Sequence, residues 1–162
     1  MPVLQTNLNE LSKDPPTQLA QVQYALNDIV NLSGQQVSQL LVDYTEPSSA
    51  TNETTQSTTY VPFKNFTINF TPNNPMCDVI IHMFLQGNGF IGIFFNGLLT
   101  QEIYFLNPSA STVPFTKVFQ LSANKNKISL QWRANNSNTT LTKVNSPSQP
   151  ANNSLQIRSQ NS

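Results

Sequence analysis

Residues 78–106 read DVIIHMFLQGNGFIGIFFNGLLTQEIYFL, and this stretch decides the fold. It is largely apolar and interrupted by Gly and Asn at 87–89 and 96–97, which predicts three successive strands over 78–86, 90–95 and 99–106. Gly87-Asn88-Gly89 is expected to turn the chain between the first two, and Asn96-Gly97 between the last two. Asn-Gly favours the left-handed backbone of tight hairpins, so an antiparallel meander follows. Both faces of these strands are apolar. Val79, Ile81, Met83 and Leu85 point one way and Ile80, His82 and Phe84 the other; Ile91, Ile93 and Phe95 likewise oppose Phe90, Gly92 and Phe94. An antiparallel sheet with one wet face alternates apolar with polar residues, and this one does not. One face can fill a small core. The other needs a cover, and a second copy of the chain would supply one.

Working outward, Phe66, Ile68 and Phe70 alternate with Thr67 and Asn69 as a one-sided strand, and 71–75 is a turn. Residues 107–114 (NPSASTVP), with two prolines, read as a surface loop, and 115–121 as a further strand. In 127–134 (KISLQWRA) Ile128, Leu130, Trp132 and Ala134 share one side. A short strand over 139–144 and a Pro/Asn loop over 146–153 lead to Leu155 and Ile157, which close the domain. About eight short strands separated by Gly, Pro and Asn turns form the pattern of an antiparallel jelly-roll β-sandwich, here over 60–162. A domain of that size is marginal alone, and three copies sharing an apolar face would relieve it.

Upstream, residues 1–14 are polar with scattered Leu4, Leu8 and Leu11. They read either as a disordered terminus or as a peg that orders against a host surface. Asp14-Pro15 is a good helix start. From there Leu19, Val22, Leu26, Ile29 or Val30, Ser33, Val37, Leu40 and Tyr44 follow in steps of three and four, a heptad seam with one stutter. Residues 15–46 are therefore expected to form a helical stalk, a short coiled coil; the other reading is an amphipathic lid on the sandwich. Gly34 weakens its middle by about 1 kcal/mol relative to Ala. Residues 47–59, ending in SSATNETTQSTT, read as a polar linker with nothing to pack.

Charged residues are 10% of the chain, eight basic against eight acidic with no run of either sign. Nucleic-acid binding needs clustered Lys and Arg and is not expected. No basic segment followed by an apolar core opens the chain, so no signal peptide is expected, and no apolar run approaches the roughly 20 residues of a membrane helix. Synthesis in a cytoplasm without membrane insertion follows. The lone Cys77 reads as a structural free thiol and the lone His82 as a buried or interfacial histidine with one hydrogen bond. Trp132 has core parity. Glu102 has Asp78, Lys117 or Arg133 as candidate cross-strand neighbours, and carboxylates are too sparse for a glycosidase pair. No phosphate loop, Cys/His metal spacing or nucleophile elbow is present, so no catalytic, cofactor or metal residue is expected. Tyr60, Phe63 and Tyr104 are candidates for stacking on a sugar if the domain is a carbohydrate-binding module.

The end of the chain carries a family resemblance. NKISLQWRANNSNTTL at 126–141 and NSLQIRS at 153–159, with FIGIFFNG at 90–97, are similar to the closing hairpin and a middle strand of trimeric, tumour-necrosis-factor-like β-sandwich heads in bacteriophage virion proteins. The matching positions are Leu130, Trp132, Thr139, Leu155 and Ile157, and the resemblance covers about residues 60–158; Asn135-Asn136 stands where a glycine is common. It implies a non-enzymatic homotrimer located in the virion: a head fibre, tail spike or capsid decoration subunit. Residues 1–14 would bind capsid or tail proteins, and the head would face host-surface glycans or solvent. Leu19, Val22, Leu26, Ile29, Val37 and Leu40 would line the trimer seam in the stalk. Ile80, Phe84, Phe90 and Phe94 would do so in the head.

Overall fold

The computed structural model describes residues 22–23, 39–47, 49–122, 126–145 and 153–160. Its strands are β1 (Leu40–Thr45), β2 (Glu53–Thr55), β3 (Val61–Phe70), β4 (Met76–Phe95), β5 (Leu98–Gln120), β6 (Asn126–Ala134), β7 (Leu141–Lys143) and β8 (Ser154–Ser159). All pair antiparallel in one sheet. The predicted meander is in fact a single hairpin of unusual length, 20 residues of β4 against 23 of β5. On its second side β4 meets β8 at 77–82, β7 at Leu85 and Gln86, and β6 at 89–95. β1 extends the sheet beyond β8, and β3 extends it beyond β6.

The sheet bends over on itself until it is nearly closed. Tyr44 of β1 and Phe66 of β3 meet edge to face at 5.1 Å, and Phe95 of β4 lies 5.4 Å from Phe119 near the far end of β5. Lys117 Nζ donates to Gln101 Oε1 at 2.6 Å, tying the two halves of β5 together. Val79, Ile81, Met83, Leu85, Ile91, Ile93, Ile128, Leu130, Leu155 and Ile157 are fully buried between the halves. Each such side chain contributes about 1.5–3 kcal/mol of apolar burial, which makes the alternation of these strands the main source of stability. Trp132 packs on Phe63 with ring centroids 4.5 Å apart, in the core as its parity predicts.

Several expectations are corrected. Gly87-Asn88-Gly89 does not turn the chain; β4 runs through it with a register slip between Leu85 and Gly87. The glycines answer a close approach instead: a Cβ on Gly89 would lie 2.5 Å from Arg133 O and 2.7 Å from Leu141 Cδ1, and Gly87 has φ +117° with Leu141 equally close. The sheet bends here. The true turn is Asn96-Gly97, both residues at positive φ (52° and 86°) as a tight hairpin requires. Residues 107–114 are strand, not loop. Pro108 and Pro114 are tolerated because β5 pairs only with β4 among the described strands, and an edge needs no donors on its free side.

The expected stalk does not reach 46. Leu40–Thr45 is strand, with Val42 opposite Ile157 and Tyr44 opposite Leu155, and Leu40 is exposed. Its β-branched and aromatic content wins over a three-and-four spacing once a partner strand is present. Of residues 1–37 only Val22 and Gln23 are described, in helical backbone with both side chains exposed. Leu19, Leu26, Ile29, Val37 and the segment 1–14 lie outside the described residues. The expected linker is also packed: β2 pairs with β7, and its polar neighbours bond to backbone, as when Asn52 Oδ1 accepts from Asn145 N at 2.8 Å.

Candidate functional site

Two features of the β domain are built beyond what the core requires. The first lies on the outer face of β4, β5 and β6, where strand pairing sets Tyr104, Phe90 and Arg133 in one row and Glu102, Gly92 and Gln131 in the next. Arg133 lays its guanidinium 3.9 Å from the Phe90 ring centroid and 5.4 Å from that of Tyr60. Its Nη2 also donates to Glu102 Oε2 at 3.1 Å. The same carboxylate oxygen accepts from the Tyr60 hydroxyl. Gly92 makes room for this. A Cβ there would stand 2.7 Å from Tyr60 Cε1 and Phe94 Cε2 and 3.0 Å from Leu99 Cδ1, so the Tyr60 ring covers bare backbone. Phe94 packs edge-on against Tyr60 at 5.2 Å, and Phe90 against Tyr104 at 5.2 Å.

The electrostatics follow from this packing. Partial burial, then the bond to Glu102, push the Tyr60 hydroxyl up to about 12. That hydroxyl is the main reason the Glu102 carboxyl sits below its ordinary value, with Arg133 adding to the effect and partial burial opposing it. A carboxylate so held is a poor proton carrier near neutrality, and the arrangement suits recognition better than acid–base work.

The face continues along β4. Phe84 and Ile80 point outward and are half-buried, as are Phe90 and Phe94, so the four apolar residues expected on the trimer face share the outer side of one strand. On β5 beside them Leu99, Tyr104 and Leu106 are 47%, 53% and 61% exposed. His82 lies between Ile80 and Phe84 and is exposed because its strand parity points outward, so of the two expected settings, buried or interfacial, the buried one is corrected. Of the three proposed sugar-stacking residues, Tyr104 is exposed, Tyr60 is half-buried and tied to Glu102, and Phe63 is buried on Trp132. Phe63 is therefore withdrawn from that set. Its parity is inverted by three extra residues in β3: Pro62 faces Gln131 and Thr67 faces Ser129, so five steps on β3 span two on β6. Asn65 turns this excess with φ 68°.

The same excess opens the second feature, a cleft of about 470 Å³ on the outer face. Pro62 and Thr67 form one wall, and Lys127, Ser129 and Gln131 of β6 form the floor. The Asn96-Gly97 turn closes the end. Thr67 Oγ1 and Ser129 Oγ are hydrogen-bonded at 3.1 Å. Asn96 Oδ1 accepts from Lys127 N at 2.9 Å, which holds the turn against β6. Phe94 and Gly92 lie opposite Ser129 and Gln131, so the aromatic cluster borders the cleft.

A third group serves the fold. Lys143 Nζ, fully buried, lies 2.5 Å from Glu46 Oε1 and 2.7 Å from Glu53 Oε1. Asn153 Nδ2 donates to Glu46 Oε2 at 3.1 Å, and Asn153 Oδ1 accepts from Phe84 N at 2.6 Å. Nothing in local spacing marks these residues; only an inward lysine at the parity of Leu141 hints at it. Cys77 is a buried free thiol whose Sγ lies 3.4 Å from Asn74 O, and burial pushes it up, away from the reactive thiolate. Among the described residues no group of three or more His, Cys, Asp or Glu is placed to hold a metal ion, and no helix is long and apolar enough to cross a membrane. No protein-family model matches the chain, and no curated protein matches it in sequence.

Proposed function

We propose that this chain is a structural, self-associating subunit: a homotrimeric head-fibre, spike or decoration protein of a bacteriophage particle. One observation carries the reading. The outer side of the β4–β5 hairpin joins half-buried Ile80, Phe84, Phe90 and Phe94 to exposed Leu99, Tyr104 and Leu106. Apolar side chains left partly or largely exposed along one face in this way favour an interaction site there. The prolines on β5 discourage edge-to-edge strand addition, which favours contact through the face. Threefold symmetry, the phage context and the jelly-roll description rest on the resemblance of the closing strands. Under this reading residues 1–14 anchor the subunit, the segment between them and β1 would form a helical stalk, and the β domain is the exposed head.

Light scattering tests it. The full chain is expected at three times its 18.0 kDa mass. Phe84→Asp and Leu106→Asp are expected to lower that mass with an unchanged far-ultraviolet spectrum. A monomeric wild type, or intact trimers in both variants, would overturn the reading.

A further inference from the structure

We propose that the cleft between β3, β6 and the Asn96-Gly97 turn is a binding site for a short acidic saccharide. It stands apart from self-association and rests on different residues. A cleft of about 470 Å³ falls within the range of small-molecule sites. It exists because β3 carries an excess of residues opposite Leu130, and such bulges recur beside binding and catalytic sites, where they re-aim side chains.

The lining selects the ligand. Thr67 and Ser129 offer hydroxyls that bond to each other and keep further donor and acceptor capacity. Gln131 adds an amide, and Pro62 is the apolar wall. Pro62 and the side-chain stems give some apolar contact, but an apolar ligand would leave the Thr67 and Ser129 hydroxyls and the Gln131 amide without partners of its own. Among the described residues of the lining Lys127 is the charged one, so the site favours a single negative charge over a cation. A polyanion such as nucleic acid would need several cations along a track, and among the described residues the cleft has one. A polyol with one carboxylate meets each of these groups: hydroxyls against Thr67, Ser129 and Gln131, carboxylate against Lys127. Phe94 of β4 lies opposite Ser129, with the Tyr60 ring edge-on against it at 5.2 Å, so an adjoining sugar ring has an aromatic surface beside the cleft to lie against.

The test is an amide NMR titration of the full chain with glucuronate, and with glucose and acetate as separate arms. Glucuronate is expected to shift Thr67, Ser129 and Gln131 and to bind up to about fivefold more tightly than glucose, the upper end of what an exposed ion pair contributes. Acetate is expected to leave these amides unmoved. Lys127→Gln, at an exposed position, is expected to bring glucuronate down to the level of glucose, and Thr67→Ala to weaken both sugars. Absence of localised shifts with either sugar would overturn the proposal. So would equal affinity for the two sugars in the wild type, the same shifts from acetate alone, or unaltered glucuronate binding by Lys127→Gln.

Discussion

Replacing Lys143 by methionine isolates one charge. Methionine keeps an unbranched apolar stem of similar length, so the packing near Phe66, whose ring centroid lies 5.4 Å from Nζ, is largely retained. What disappears is the ammonium between Glu46, itself 1% exposed, and Glu53 at 19%. Two carboxylates then face each other with no cation. Glu46 keeps the Asn153 amide and Glu53 keeps Lys64 N, each at 3.1 Å, which soften the loss without neutralising it. Breaking a buried pair by removing one partner costs about 3–5 kcal/mol. Partial hydration of Glu53 places this variant toward the lower end. Against a total stability of about 5–15 kcal/mol that is a large fraction. The midpoint of thermal unfolding should fall by roughly 10–20 °C. Urea unfolding followed through Trp132, the one tryptophan of the chain, reports the free energy directly. The triple variant Lys143→Met, Glu46→Gln, Glu53→Gln removes all three charges and should recover most of the loss. A deficit under about 1 kcal/mol for Lys143→Met, or no recovery in the triple variant, would refute a closed, desolvated ion cluster.

Two further predictions concern the outer face. A rapid alkaline titration at 295 nm should show a tyrosine ionising near pH 12, and Tyr60→Phe should remove that step. The hydroxyl ionises higher in the fold than in the unfolded chain, so its contribution is complete below about pH 10 and is lost as pH rises through 12; an unchanged step in Tyr60→Phe contradicts the assignment. Gly92→Ala should cost about 1–2 kcal/mol and lift the Tyr60 ring off β4, returning its titration toward about 10. A variant with wild-type stability and an unmoved Tyr60 would show that the glycine is not what admits the ring.

The core was legible in the sequence because two-residue alternation leaves little choice: Val79 to Leu85, Ile91 to Phe95 and Ile128 to Ala134 all bury the predicted side. The Asn96-Gly97 turn was legible for the same local reason. What misled was chemistry with two uses. Glycine serves both a turn and a close approach, so Gly87 and Gly89 looked like a hairpin where Leu141 crosses. Proline serves both loops and edge strands, so 107–114 looked like a loop. Phe63 looked exposed because the excess residues at Asn65 reset the parity of β3 and send Phe63 and Phe66 to the same side. The remaining features are long-range. Val42 finds Ile157, Glu46 finds Lys143, and Tyr60 finds Glu102 and Arg133, pairings that no local window contains.

The long hairpin also sets the hazards of synthesis. As the chain emerges from a ribosome, β4 and β5 can zip together at once, yet the second side of β4 is covered piecemeal by β6, then β7, and last by β8. Until Ser154–Ser159 has been made, the segment bearing Val79 and Ile81 presents open backbone groups and an apolar face to every neighbouring nascent chain. A stall or truncation before Ser154 therefore exposes a strand edge suited to intermolecular pairing. On a crowded polysome that open edge of one chain lies beside the same edge of the next.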